Sequence, residues 1–413
     1  MAIPTTKEIM DFSPFNTGGT EGVPKFTRSL YPELSREAKN RFIVALSGLR
    51  RVGKTVLLKQ ILKKRAGAYF SFDEQKHCNT ESLSAVIETF IDHGFSTIVL
   101  DEIGNVDGWA GTLKKYYDRG GAKFFISGSA SLKIRKGRES LAGRMVEHHV
   151  PPFQFDEYLA KAGILQPGSI WAMRAHGKEL SDFLVQGAFP EVHGAEPSDA
   201  KKYASSLADK AVYEDIPNRF GIEQRSKLAD LLKYAATFSS SIYSESGISA
   251  TLGLSRGTVA DYISYLEQSY LAGALLAEGS FASALVKSRK LFVSCPALYF
   301  ALTDSYSDGA AAEVAVYDRL FAWGESQKFY RDYQKREVDF IVRGVPVEVK
   351  FRNYISDADF STMLYYMEKK RLDFGIMVTK GAFDMKKIGG RRILQVPLSV
   401  FLSSKSFDAL LKA

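Results

Sequence analysis

Gly48-Leu49-Arg50-Arg51-Val52-Gly53-Lys54-Thr55 decides how this chain folds, because of what stands on either side of it. Ahead of it lies Phe42-Ile43-Val44-Ala45-Leu46, an unbroken apolar run bounded by glycine, and this predicts a short strand buried on both faces. Behind it, Thr55 to Lys64 carries apolar residues at helical spacing and lysines toward its C-terminal end, which predicts a helix whose dipole those cations complement. In a strand, glycine-rich loop and helix of this order, successive backbone N–H groups and the positive end of the helix converge on one anion. The G-x-x-x-x-G-K-T spacing therefore assigns Gly48, Arg50, Arg51, Val52, Gly53, Lys54, Thr55 and Val56 to a nucleotide. Lys54 would reach the β- and γ-phosphates of ATP, and the Thr55 hydroxyl would sit on Mg²⁺.

Three further segments extend the reading over residues 41–150. Ala68 to Phe72 predicts a second strand, and Glu81 to Asp92 a helix. Thr97-Ile98-Val99-Leu100-Asp101-Glu102 is a buried strand with two carboxylates at its C-terminal end, where ligands of open α/β sheets collect. Asp101 would hold Mg²⁺ through water, and Glu102 would polarise the attacking water, which is the Walker B arrangement. Lys123 to Ser129 predicts another strand ending in small polar residues, and Met145 to Val150 a fifth. Arg144, just ahead of that fifth strand, reads either as a finger completing the site of a second subunit in a homo-oligomer or as a surface salt bridge.

The chain has 413 residues, 45% of them hydrophobic and 25% charged, as in a soluble globular protein of two or three domains. No apolar run of 18 residues and no charged-then-apolar leader occurs, so neither membrane span nor secretory signal is expected. The two cysteines, Cys78 and Cys295, have no metal-like spacing, and the expected setting is a reducing cytoplasm without structural zinc. His148 and His149 are adjacent on a strand and point to opposite faces, which argues against a shared metal. Of the net charge of +8, residues 328–413 hold 17 Lys plus Arg against 10 Asp plus Glu, or +7. Such an asymmetry points to a polyanionic partner, with nucleic acid (DNA first) ahead of others.

Downstream, helices are expected over 155–162, 179–185 and 199–213, with a break at Gln186-Gly187-Ala188-Phe189-Pro190-Glu191. Helices over 228–238, 248–252 and 256–266, with Gly253 in the turn and Ser255 as N-cap, predict a helix-turn-helix, and Lys287 to Val293 predicts a strand of a wing. Ser255, Arg256, Thr258 and Tyr262 would then face a DNA groove, or the same face would serve as a spacer or a protein-docking surface. In the last segment Arg336 to Lys350 reads as a hairpin turning at Arg343-Gly344. Period-two alternation puts Glu348 and Lys350 on one face, and pairing brings Asp339 alongside. Two carboxylates and a lysine at one sheet edge suit metal-assisted phosphodiester hydrolysis: Asp339 and Glu348 would bind Mg²⁺, and Lys350 would orient water. Alternating E-x-K is also an ordinary pattern of a solvent-facing strand.

These motifs, in this order, resemble a large prokaryotic family of archaeal-type AAA-like P-loop ATPases. The resemblance rests on G-x-R-R-V-G-K-T, Leu100-Asp101-Glu102, Ser127-Gly128-Ser129, Leu141-Ala142-Gly143-Arg144 and Pro152 to Tyr158, and covers roughly residues 28–355. It implies a parallel α/β sheet of P-loop NTPase type, then a helical lid, a winged helix and a small α/β restriction-endonuclease-like domain. It places Ser127 beside the γ-phosphate. The D-x8-E-x-K spacing is similar to the PD-(D/E)xK nucleases, with Val338 where the name-giving proline would stand and Glu313 as the extra helical carboxylate. The expected domains are thus an extension over 1–40, the ATPase core over 41–150, the lid over 151–225, the winged helix over 226–300 and the nuclease-like module over 301–413. The expected function is a Mg²⁺-dependent ATPase coupling hydrolysis to nucleic-acid binding or processing, or else a nucleotide-dependent switch with a non-catalytic binding module.

Overall fold

The computed structural model describes residues 3–20, 22–65, 67–128, 140–279 and 289–413. They fall into two compact units, Met1–Val150 and Pro151–Ala413. Ser129, Lys287 and Ser288, which belong to two of the expected segments, lie outside the described residues.

In the first unit the apolar runs become parallel strands β1 (Ile43–Ser47), β2 (Gly67–Ser71), β3 (Thr97–Asp101), β4 (Lys123–Gly128) and β5 (Met145–His149). Their order is β2-β3-β4-β1-β5, so the strand that ends in Ser127 and Gly128 lies between the loop strand and the carboxylate strand. Helices Lys54–Leu62, Thr80–Asp92 and Trp109–Arg119 connect them. Phe70, Phe72, Ile87, Phe90, Leu100, Leu113, Tyr116, Phe124 and Ile126 form one buried cluster, which accounts for strands without polar alternation. Residues 1–40 are more than an extension. A helix, Thr6–Asp11, starts at a Thr5–Glu8 capping box and buries Ile9 in this cluster. Asn16 donates its amide to the carbonyls of Ile9 and Tyr69 at 2.7 and 3.1 Å and accepts from the Tyr69 N–H at 2.8 Å.

The second unit begins with helices Phe155–Lys161, Gly177–Gln186 and Pro197–Lys210. At the break, Ala188 takes a left-handed φ of 81° and bridges to Phe153, while a Cβ on Gly187 would come within 2.3 Å of the Phe183 ring. Helices Arg225–Thr237, Glu245–Leu252 and Arg256–Gln268 follow, the last capped by the Ser255 hydroxyl, which accepts from the Thr258 N–H at 3.1 Å. The strands are β6 (Ile242–Tyr243), β7 (Ala272–Ala277), β8 (Arg289–Val293), β9 (Gln327–Arg331), β10 (Glu337–Val342), β11 (Val345–Lys350), β12 (Phe374–Thr379), β13 (Asp384–Ile388) and β14 (Arg391–Pro397). Among the described residues they make one sheet, in the order β13-β14-β12-β11-β10-β9-β7-β8-β6.

One sheet therefore crosses the expected boundary at residue 300, joined where β7 runs parallel to β9 at Leu276–Lys328 and Ala277–Phe329. The boundary at 225 is bridged in a similar way. Arg319, on helix Asp308–Ala322, donates to the Asp156 carboxylate at 2.9 Å and to the Ser404 carbonyl at 2.6 Å. Gln154 reaches Asp318 on the same helix at 3.1 Å. The start of the unit, its long helix and its C-terminal region thus share one buried polar network, which separate modules would not need.

Candidate functional site

At the C-terminal edge of the parallel sheet the sequence forces an unusual loop. Gly48 has φ +148°, and a Cβ there would lie 2.3 Å from the Val150 carbonyl oxygen, so only glycine fits. Arg51 and Gly53 are left-handed, at φ 65° and 99°, which turns the chain into the N-terminus of helix Lys54–Leu62. The Lys54 side chain curls back and donates to the carbonyls of Gly48 and Leu49, both at 2.9 Å. It is buried, and burial pulls its pKa below the usual lysine range, against the pull of Glu102 and Asp101. Buried Val52 offers its carbonyl to the Arg28 guanidinium, whereas Arg51 is exposed, Arg50 intermediate and Val56 partly buried.

Asp101, at the end of β3, is the hub. One carboxylate oxygen accepts from the Thr55 hydroxyl at 2.6 Å and from the Tyr69 hydroxyl at 2.7 Å, and the other accepts from Ser127. The Ser127 hydroxyl in turn accepts from the Glu102 N–H at 3.1 Å. Burial, then the Asp101 charge, raises the Tyr69 phenol well above its ordinary value. Glu102 itself is left-handed, φ 50° and ψ 34°, a conformation that a non-glycine residue keeps only where its surroundings enforce it. A glycine cradle, a lysine and a hydroxyl paired with a carboxylate are the donor set a magnesium nucleotide requires, so the residues fit the group.

The structure brings Gly48, Gly53, Lys54, Thr55, Asp101, Glu102 and Ser127 to one edge. It does not bring Arg144 there. Arg144 precedes β5 and its carbonyl accepts from the Ile43 N–H, at the opposite end of strands that run parallel. Five-residue strands separate the two ends by about 13 Å. Its guanidinium pairs instead with Asp118 at 2.9 Å on the surface. Arg28, Tyr69 and His149 are members of this neighbourhood that the sequence reading missed. Burial, with the charges of Lys54 and Arg28, depresses His149 to about 4.

A second cluster lies in the second unit. Asp339 accepts from the Val349 N–H at 3.0 Å, and Glu348 accepts from the Asp339 N–H at 3.4 Å and from the Lys350 ammonium at 2.6 Å, so the hairpin assembles as expected. Burial, then the Asp339 charge, pushes both Glu348 and Glu313 up to about 8. The unexpected member is Lys290 on β8. It is 1% exposed and lies 2.7 Å from Glu337 and 3.3 Å from Asp339. Burial opposes its charge, but Asp339 and Glu337 outweigh that and raise its pKa. For Asp339 and Glu348 as Mg²⁺ ligands the fit is poor as built: an ammonium already sits on each. Among the described residues no three carboxylate, histidine or cysteine side chains converge as a metal site.

Comparisons with known proteins bear on the first site. Residues 40–159 match the model of an AAA domain, while residues 177–308 and 308–400 match two domains of unknown function, DUF8612 and DUF4143. Two uncharacterized proteins of Methanocaldococcus jannaschii are similar to the chain. One is 26% identical over 320 residues, 73% of this chain and 72% of the relative; the other is 25% identical over 410 residues, 89% and 85%. Among solved structures, the Walker-type ATPase of Pyrococcus abyssi has a TM-score of 0.47 at 16% identity, covering 67% of this chain and 95% of that one. Among the described residues no helix is long and apolar enough to cross a membrane. Residues 40–159, which hold the five parallel strands and the loop at their C-terminal edge, are thus similar to an AAA domain, and the α/β architecture there is that of a P-loop NTPase.

Proposed function

We propose that the chain is a Mg²⁺-dependent ATPase whose turnover is coupled to nucleic-acid binding or processing by its C-terminal region. The observation that carries the reading is the Asp101 carboxylate gathering the hydroxyls of Thr55 and Ser127 beside the Lys54 loop. In this reading the loop N–H groups and Lys54 hold the triphosphate, Lys54 exchanging its two loop carbonyls for phosphate oxygens. Thr55 and, through water, Asp101 hold the Mg²⁺, which supplies charge neutralisation. Glu102 orients the attacking water and accepts its proton, and Ser127, tied to the Glu102 N–H, keeps that carboxylate in register. The helices over 155–210 act as a lid, and Arg225 to Gln268 with the following strands acts as a winged helix. The +7 charge of residues 328–413 supports DNA as the first partner to test.

The test is ATP turnover with Mg²⁺, with and without duplex and single-stranded DNA, in wild type and Glu102→Gln. Stimulation by DNA that vanishes in Glu102→Gln is the expected result. Unchanged turnover in Lys54→Ala would overturn the ATPase assignment. A second reading, a nucleotide-dependent switch whose nuclease-like module binds without cutting, is favoured by the ammonium groups already seated on Asp339 and Glu348. Turnover indifferent to DNA moves the conclusion to that reading.

A further inference from the structure

We propose that Lys290 is the resident cation of the acidic cluster on β10 and β11, occupying with its ammonium the place a divalent metal would take, so that the cluster as built binds neither Mg²⁺ nor Mn²⁺. The inference deepens the second reading above, and it concerns metal binding alone, so the coupling of ATP turnover to DNA can fail without affecting it.

Three observations carry it. The first is burial. An ammonium 1% exposed to solvent is tolerated only with permanent compensation, and Lys290 has it from Glu337 at 2.7 Å and Asp339 at 3.3 Å. Its Nζ also lies 5.6 Å from the centre of the Phe329 ring, a face that suits an ammonium and gives no oxygen to a hard divalent ion. The second is that the oxygens are committed. Asp339 uses one oxygen for Lys290 and the other for the Val349 N–H, and Glu348 uses one for Lys350 and the other for the Asp339 N–H. A divalent ion would have to displace an ammonium from each carboxylate.

The third is where the lysine comes from. In the sheet, β9 and β7 stand between β10 and β8, yet Lys290 touches Asp339, and the Phe292 and Phe340 rings lie 5.8 Å apart. The sheet thus curls so that β8 closes over β10. Its neighbour β6 stands between the first two of the three helices over 225–268, so the segment expected to contact DNA supplies the ion that fills the cluster. Removing that ammonium leaves Asp339 without its lysine and Glu337 with only Arg331, at 3.6 Å, while the Asp339 charge also bears on Glu313. The carboxylate oxygens so released are the ones a divalent ion would take in the lysine's place.

The experiment is a Mn²⁺ titration of the full nucleotide-free chain, reading free Mn²⁺ by electron paramagnetic resonance. Wild type and Lys290→Arg are expected to show no site that depends on Asp339. Lys290→Met is expected to gain one, at least about tenfold tighter than any wild-type binding, and Lys290→Met with Asp339→Asn to lose it again. A wild-type site that Asp339→Asn removes would overturn the proposal, as would a folded Lys290→Met chain that gains no site. Should Lys290→Met prove unfolded in metal-free buffer, recovery of its melting transition by Mn²⁺ but not by K⁺ of equal ionic strength supports the proposal, and failure to recover counts against it.

Discussion

Asp101→Asn should cost the first unit both stability and turnover, by amounts that follow from its hydrogen bonds. The carboxylate is 3% exposed and accepts three hydroxyls, two on one oxygen and one on the other. Bonds of this charged kind contribute about 1.5–3 kcal/mol each. An asparagine keeps one acceptor and turns the other into a donor. If the amide replaces the oxygen facing Ser127, that hydroxyl, already accepting from the Glu102 N–H, loses its acceptor. If it replaces the other oxygen, Thr55 and Tyr69 both lose theirs. Either way at least one charged bond disappears and the rest become neutral, a loss of about 2–4 kcal/mol. For a unit of this size that lowers the melting temperature by about 4–16 °C. Hydrogen exchange of the β3 and β4 amides reads the unit separately from the rest of the chain, and ATP turnover should fall at least about 100-fold. Exchange rates within about 0.5 kcal/mol of wild type would refute the hub. Tyr69→Phe removes a single hydroxyl and should cost only about 1–2 kcal/mol while keeping most turnover.

The other expected outcomes are as follows. Gly48→Ala places a methyl 2.3 Å from the Val150 carbonyl oxygen at φ +148°, so it should abolish ATP-induced thermal stabilisation, which in wild type reaches about 2.7 kcal/mol at a hundred times Kd. His149, held near 4 against an ordinary value of 6.5, is neutral in the fold. Its contribution is therefore complete above pH 6.5 and is lost as pH falls through 4, and His149→Gln should flatten the melting-temperature profile of the first unit across that window. Arg319→Ala leaves Asp156 and the Ser404 carbonyl without their guanidinium and should destabilise the second unit by about 3–5 kcal/mol, read by denaturant unfolding; a change below about 1 kcal/mol would mean that the network does not bind its parts together.

What could be read in advance was whatever the chain encodes locally. The loop of residues 48–55, the strand ending in Asp101 and the hairpin pairing Asp339 with Glu348 each follow from patterns within about fifteen residues, and each stands where its period placed it. For Arg144 the surface salt bridge that the sequence offered is the one that forms, with Asp118, and the parallel direction of β1 and β5 sets it at the end of the sheet away from the chain's own loop, which leaves a role in a second subunit's site as a separate question for assembly. Tyr69 was invisible in the sequence: its hydroxyl meets Asp101 only because β2 is laid beside β3 in register, Ser71 opposite Asp101. The domain boundary at 300 followed from the expected winged helix and nuclease-like module, but pairing of β7 with β9 depends on an interface that neither strand's own pattern announces.

Lys290 is the strongest case. In sequence, Arg289 and Lys290 are simply two cations of the expected wing strand Lys287 to Val293, and nothing in that pattern sets one apart from the other. Only a sheet that curls by two strands, bringing residues 49 apart in sequence within 3.3 Å, turns one of those cations into the counter-ion of Asp339. The D-x8-E-x-K pattern names two carboxylates that the hairpin does bring together and is silent about whether a metal or a lysine neutralises them. Since both occupants satisfy the same charges, the pattern alone cannot distinguish a cutting site from a filled one; the distinction rests on a residue outside the motif.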